Sequence, residues 1–198
     1  SSDVIELVQK RSPRVFVGGS NGPNLTVISG YEDAVDELIQ ILKQRGMTVR
    51  VLNVNLPFHS PLMQPMLDDF AFEMNHVQLS MPKLEWFSTM TGECLKGDEC
   101  VDINYWQSQI IEPVQFWCAM YAVSESDACV FLELGAGNTL IRMGRDAIDP
   151  ERHSWLASLD AKRSDAEALS QSAERLHSLG FPVDMNRVAA DTLEILNA

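Results

Sequence analysis

The chain has 198 residues, 45% of them hydrophobic, enough to bury one substantial core or a core with a smaller appended unit. Its 28 acidic residues against 15 basic ones leave a net charge of -13, which opposes nucleic-acid phosphates and anionic membranes, so neither is expected as a partner. No apolar run approaches the roughly 20 residues that span a bilayer, and "SSDVIELVQK" lacks the basic and apolar regions of a signal peptide, so a cytoplasmic protein is expected.

Asp3 to Lys10 carries Val4, Ile5 and Val8 on a short helix face, and its abrupt start leads us to expect a segment cut away upstream. Arg14 to Val17 reads as a strand. The stretch "RVFVGGSNGPNLTVISG" then spells G-x-S-x-G at Gly18, Ser20 and Gly22, the pattern of a serine nucleophile on a strand-to-helix elbow. An elbow needs a helix directly after the serine, whose N-terminus stabilises the oxyanion. Here Leu25, Thr26, Val27 and Ile28 read as a second strand instead, and Ser-Asn-Gly-Pro suits the turn between two strands residue by residue.

Glu32 to Arg45 places Val35, Leu38, Ile39 and Leu42 at helical spacing, with Gly46 suited to end the helix in left-handed geometry. Val49 to Val54 is expected as the next strand. The order helix, strand, strand, helix, strand is a split βαβ, ferredoxin-like unit without its first strand. Ser60 followed by Pro61 signals a helix start, with Met63, Met66, Leu67, Phe70 and Met74 on one face as core filler. Leu84 to Thr89 is strand-like, and Tyr105 to Met120 is helical on both sides of Pro113. "ACVFLEL" is expected as a buried strand leading into Gly135, followed by a helix from "NTLIRMGRDA". A short strand near Trp155 to Leu159 precedes a helix from Asp165 to Leu179, stopped by Gly180 and Pro182.

The four cysteines, Cys94, Cys100, Cys118 and Cys129, form no C-x-x-C pair and have no histidine at metal-ligand spacing, so no metal site is expected. Cys94 and Cys100 flank "LKGDE" and could face each other across a hairpin, but free thiols suit a cytosolic chain. Of the four histidines, His76, His153 and His177 have polar neighbours and fit surface positions. His59 differs. It stands in "VNLPFHSPLM", one residue before the helix that Ser60 caps, where the positive end of a helix favours the neutral imidazole a general base requires. Simple packing at a strand-to-helix junction accounts for it equally well.

The segments "SNGPNLTVISG", "VLNVNLPFHSPLMQPM", "YWQSQIIEPVQF" and "VFLELGAGNTL" resemble, in order and spacing, those of malonyl-CoA:acyl-carrier-protein acyltransferases and the acyltransferase domains of polyketide and fatty acid synthases. The resemblance covers nearly the whole chain. It implies a Ser-His mechanism in which serine takes an acyl group from acyl-CoA and passes it to the phosphopantetheine thiol of an acyl carrier protein. His59 matches the base. Gln109, four residues before Pro113, matches the residue whose backbone carbonyl orients that base, and Asn21 matches an asparagine near the bound acyl group. Phe58 matches the position where phenylalanine goes with malonyl and serine with methylmalonyl, because its ring fills the space of an α-methyl group. Malonyl-CoA is thus the implied substrate, and no bound cofactor or metal is implied.

The family's G-H-S-x-G elbow, its carboxylate-pairing arginine and its oxyanion-hole glutamine have no counterpart in this sequence. The resemblance therefore implies a C-terminal portion of an acyltransferase domain, carrying the base without the nucleophile and inactive alone. Expected partners are the N-terminal part of that domain, an acyl carrier protein and neighbouring synthase domains. The fold class expected is α/β: residues 1–57 an incomplete ferredoxin-like subdomain, 58–150 the C-terminal part of a hydrolase-like subdomain, and 151–198 a linker like those that follow such domains in modular synthases. A large exposed apolar surface is expected where the upstream half would lie. Two other functions stay open: a noncatalytic docking unit of a megasynthase, and a serine hydrolase using Ser20 with His59.

Overall fold

Helices α1 (Ser2–Gln9) and α2 (Glu32–Gln44) each lay an apolar face against an antiparallel hairpin of β1 (Val15–Gly22) and β2 (Leu25–Gly30). The structure, a computed structural model, describes residues 2–11, 13–98, 102–125 and 128–196; the side chains at 2 and 191–196 are outside that description, as is Cys100 with its expected pairing to Cys94. The chain divides into two units, Ser1–Glu125 and Ser126–Ala198. It is of mixed α/β class with small sheets.

In the first unit the expected periodicity holds. Leu38 and Val15 are fully buried, with Leu7, Val8, Ala34 and Leu42 around them. Truncating a leucine at the centre of such a cluster costs about 3 kcal/mol, so Leu38 is the position on which this core depends most. Gly46 ends α2 with φ of 75°, as expected. On the rim Arg14 pairs with Asp33, holding that carboxyl below the usual carboxylate range by hydrogen bonding, while its guanidinium lies 5.6 Å from the Tyr31 ring.

The expected strand over Val49 to Val54 does not form. A strand exists only through a ladder of hydrogen bonds to a neighbour, and among the described residues this segment has none. Val51, Leu52, Val54 and Leu56 stand exposed, an apolar run without cover in this unit. The expected strand over Leu84 to Thr89 likewise shrinks to one antiparallel bridge, Phe87 to Cys94.

The helix expected from Ser60 is split into a 3-10 helix (Pro61–Met66) and α3 (Leu67–Met74). Pro65 lies inside the first piece and has no N–H for an α-helical bond. Ser60, fully buried, opens it by accepting from the Leu62 amide and donating to the Pro57 carbonyl. Two helices flank Pro113 as expected, α4 (Ile103–Ile111) and α5 (Phe116–Ser124). Between them Val114 bridges Gly19 in parallel, so the chain beyond the proline lies along β1.

In the second unit β3 (Val130–Glu133) pairs in parallel with β4 (Ser154–Ala157), and α6 (Thr139–Ala147) supplies the crossover that parallel strands require. The Glu133 carboxylate accepts from the Ile141 amide in the first turn of α6. The strand is not buried as expected: Leu132 is 37% and Leu134 80% exposed, because a two-stranded sheet leaves its outer positions open within this unit. His153 corrects a second expectation. It is buried, not on the surface, sits edge-on to Phe131 and Trp155, and accepts from the Cys129 amide, so it is a satisfied core histidine. Helix α7 (Asp165–Ser178) opens with a capping box between Ser164 and Glu167. Beyond Pro182 a further helix, α8 (Met185–Leu196), was not expected; Asp184 caps it by accepting from the Asn186 and Arg187 amides.

Candidate active site

A proline decides the geometry of the site. In a continuing helix the carbonyl of Gln109 would accept the N–H of residue 113, four positions on. Residue 113 is proline and has no N–H, and its ring pushes Glu112 into extended backbone, φ -82° and ψ 150°, which ends α4. The carbonyls of the last turn are thereby left to seek donors elsewhere. Val114 donates its own amide to Gly18, so Ile110 is also without a helical partner.

His59 takes up these carbonyls. Its amide donates to the Ile110 carbonyl at 2.9 Å. Its ring nitrogen Nδ1 lies 3.0 Å from the Gln109 carbonyl and 3.2 Å from that of Glu112. A carbonyl oxygen can only accept, so Nδ1 carries the proton, and in the neutral ring the basic lone pair is on Nε2. That is the arrangement of a general base whose other nitrogen is held by an orienting group.

The backbone at His59 is strained. Among the described residues it is the non-glycine position with positive φ, 58°. Left-handed backbone costs an L-residue about 1–2 kcal/mol, and such positions persist where surrounding structure holds them, often at functional sites. Here the holding contacts come from three elements. The Ser29 hydroxyl of β2 donates to the Phe58 carbonyl at 3.2 Å, the end of α4 takes the His59 amide and ring, and the hydroxyl of the next residue, Ser60, donates to the Pro57 carbonyl.

The expected site residues are placed unequally. His59 and Gln109 meet directly, through the Gln109 carbonyl. Phe58 lies beside them, 44% exposed as a residue, with its carbonyl held by Ser29. Asn21 is half-buried on β1, its Oδ1 near Gly19, and among the described residues no hydrogen bond joins it to His59. Ser20 is not on an elbow. It is a strand residue paired opposite Thr26, its amide donates to Val114, and the chain continues from it into the Pro23-Asn24 turn and β2. The sequence reading missed Glu112 as second acceptor and Ser29 as the group behind Phe58. Glu112 was within reach, since it precedes the proline; nothing local marks Ser29.

Comparison with known proteins points the same way. The family model described as the acyl transferase domain matches residues 1–182. The chain is 32% identical over 183 residues to polyketide synthase GfsA of Streptomyces halstedii, covering 92% of this chain and 2% of that protein. It is 33% identical over 173 residues to the PKS-NRPS hybrid synthetase acdB of Aspergillus candidus, covering 86% of this chain and 7% of that protein. Among solved structures it is similar to the acyltransferase domain from the second module of the salinomycin polyketide synthase, with a TM-score of 0.84, 31% identity, and coverage of 93% of this chain and 43% of that one. It is also similar to malonyl CoA-acyl carrier protein transacylase from Clostridium perfringens, with a TM-score of 0.76, 26% identity, and coverage of 90% and 54%. The chain thus spans about half or less of the length of each of these four proteins.

Proposed function

The chain belongs to the acyl transferase domain family, and from that premise we propose that it supplies the general base of a polyketide-synthase acyltransferase that loads malonyl units onto an acyl carrier protein. The observation that carries this is the bond from His59 Nδ1 to the Gln109 carbonyl, which leaves Nε2 as the basic nitrogen.

In this reading the nucleophilic serine lies in an N-terminal part of the domain, outside these 198 residues. Nε2 of His59 takes the proton of that serine as it attacks the thioester of malonyl-CoA, and returns it to the departing CoA thiolate. In the second half Nε2 takes the proton of the phosphopantetheine thiol, whose sulfur attacks the acyl ester, and gives it to the released serine oxygen. The Gln109 and Glu112 carbonyls hold the ring and stabilise the imidazolium each time it forms. Phe58 fills the space beside the α-carbon and disfavours methylmalonyl; a pocket that discriminates one methyl group gives about 10- to 200-fold selectivity. Phosphopantetheine belongs to the carrier protein, with neighbouring synthase domains as further partners.

The unpartnered apolar segment over Val51 to Leu56 is where we place contact with the N-terminal part. The experiment is peptide mapping of the complete parent protein after incubation with malonyl-CoA. A malonyl ester on a serine outside this chain is expected. An ester on Ser20 would instead make this chain a self-contained serine acyl-enzyme.

A further inference from the structure

We infer that Ser29 is a positioning residue for the base: its hydroxyl locks the peptide between Phe58 and His59 in the orientation that keeps the His59 ring on the Gln109 carbonyl. The inference rests on His59 acting as that base. Each end of this one peptide is held from a different element. Its oxygen accepts from the Ser29 hydroxyl on β2, 3.2 Å away, and its N–H donates to Ile110 at the end of α4, 2.9 Å away.

The lock matters because the alternative orientation is the easier one. A half-turn of this peptide would carry φ of His59 from 58° to about -120°, inside the broad region any L-residue adopts. It would also break the hydrogen bond from the His59 amide to the Ile110 carbonyl and turn the backbone beneath the ring. Without Ser29 the Phe58 carbonyl keeps none of the hydrogen bonds described for it, so the hydroxyl opposes the flip from the oxygen side.

The strand next to β2 is built to admit this contact. Gly18 on β1 faces both groups: a Cβ there would lie 3.2 Å from Ser29 Oγ and 3.6 Å from the Phe58 oxygen. The first distance is tighter than ordinary contact, so an alanine at Gly18 forces the Ser29 hydroxyl to move and disturbs its bond to the carbonyl. Two substitutions on two strands therefore reach the same hydrogen bond, which separates its loss from any general effect of altering one strand.

The test compares Ser29→Thr and Ser29→Val in the complete parent protein, since these two side chains have nearly the same shape and differ in the hydroxyl. Malonyl transfer to the carrier protein is measured per mole of folded protein, together with Gly18→Ala, the Gly18→Ala/Ser29→Val double variant and His59→Ala. We expect Ser29→Val to lower kcat about tenfold to a hundredfold, the scale of a misplaced catalytic group, with KM for malonyl-CoA nearly unchanged. Ser29→Thr should restore most of the rate. Gly18→Ala should lower kcat in the same way, and the double variant should fall little further. Equal kcat in the Thr and Val variants, with His59→Ala inactive, would overturn the role of Ser29 and leave the base intact. Unchanged transfer by His59→Ala would remove the base and the positioning role with it.

Discussion

The carbonyl of Gln109 lies 3.0 Å from Nδ1 of His59, and it is available there because Pro113, four residues on, has no N–H to offer it. The residue that orients the ring does so through its backbone, and the proline four residues on makes that backbone free.

Pro113→Ala returns an N–H to the position that would extend α4, and the Gln109 carbonyl then has a helical donor competing with the histidine. We expect the parent's kcat for malonyl transfer to fall by about tenfold, the range lost when a catalytic group is misplaced. Gln109→Ala keeps the carbonyl and should stay within about threefold of the unaltered protein. Steady-state kinetics of both variants checks this; a larger loss for Gln109→Ala would shift the role from backbone to side chain.

The positive φ of His59 separates two truncations that are equally without an imidazole. Glycine accepts left-handed backbone and alanine resists it, so His59→Gly should be more stable than His59→Ala by about 1 kcal/mol despite the greater freedom of glycine when unfolded. Urea unfolding midpoints of the two variants give the comparison.

Asp33 is held below its ordinary carboxylate range, first by its hydrogen bond from Arg14, and Arg14 is correspondingly raised by Asp33. A depressed carboxyl contributes stability that is present above its unfolded value and is lost as pH falls through its folded value. Asp33→Asn should therefore lower stability near neutrality and change little in acid, so that part of the acid-side loss disappears. The pair is exposed, so the effect should be small and weaken with salt, as urea midpoints from neutral to acid pH would register.

The sequence reveals whatever depends on local chemistry. The apolar spacing of Val35, Leu38, Ile39 and Leu42 fixes a buried helix face, and the β-branched run after Ser20 points to a strand rather than an elbow, as the structure has it. It misleads where a segment depends on a partner: Val49 to Val54 has strand composition but no described ladder neighbour, and "ACVFLEL" is apolar yet open at Leu134. The polar neighbours of His153 point to the surface, while packing against Phe131 and Trp155 puts it inside. At the site, His59 and Gln109 were legible through the order of the motifs. Ser29 was not, because it is remote from the base in sequence and acts through a carbonyl.

The central claim is that His59 is the base, and malonyl transfer by the complete parent carrying His59→Ala tests it most directly. We predict a loss of roughly a hundredfold or more in kcat, the scale of a removed general base, in protein that still folds. Transfer at the unaltered rate would contradict the claim and reduce this chain to a docking unit.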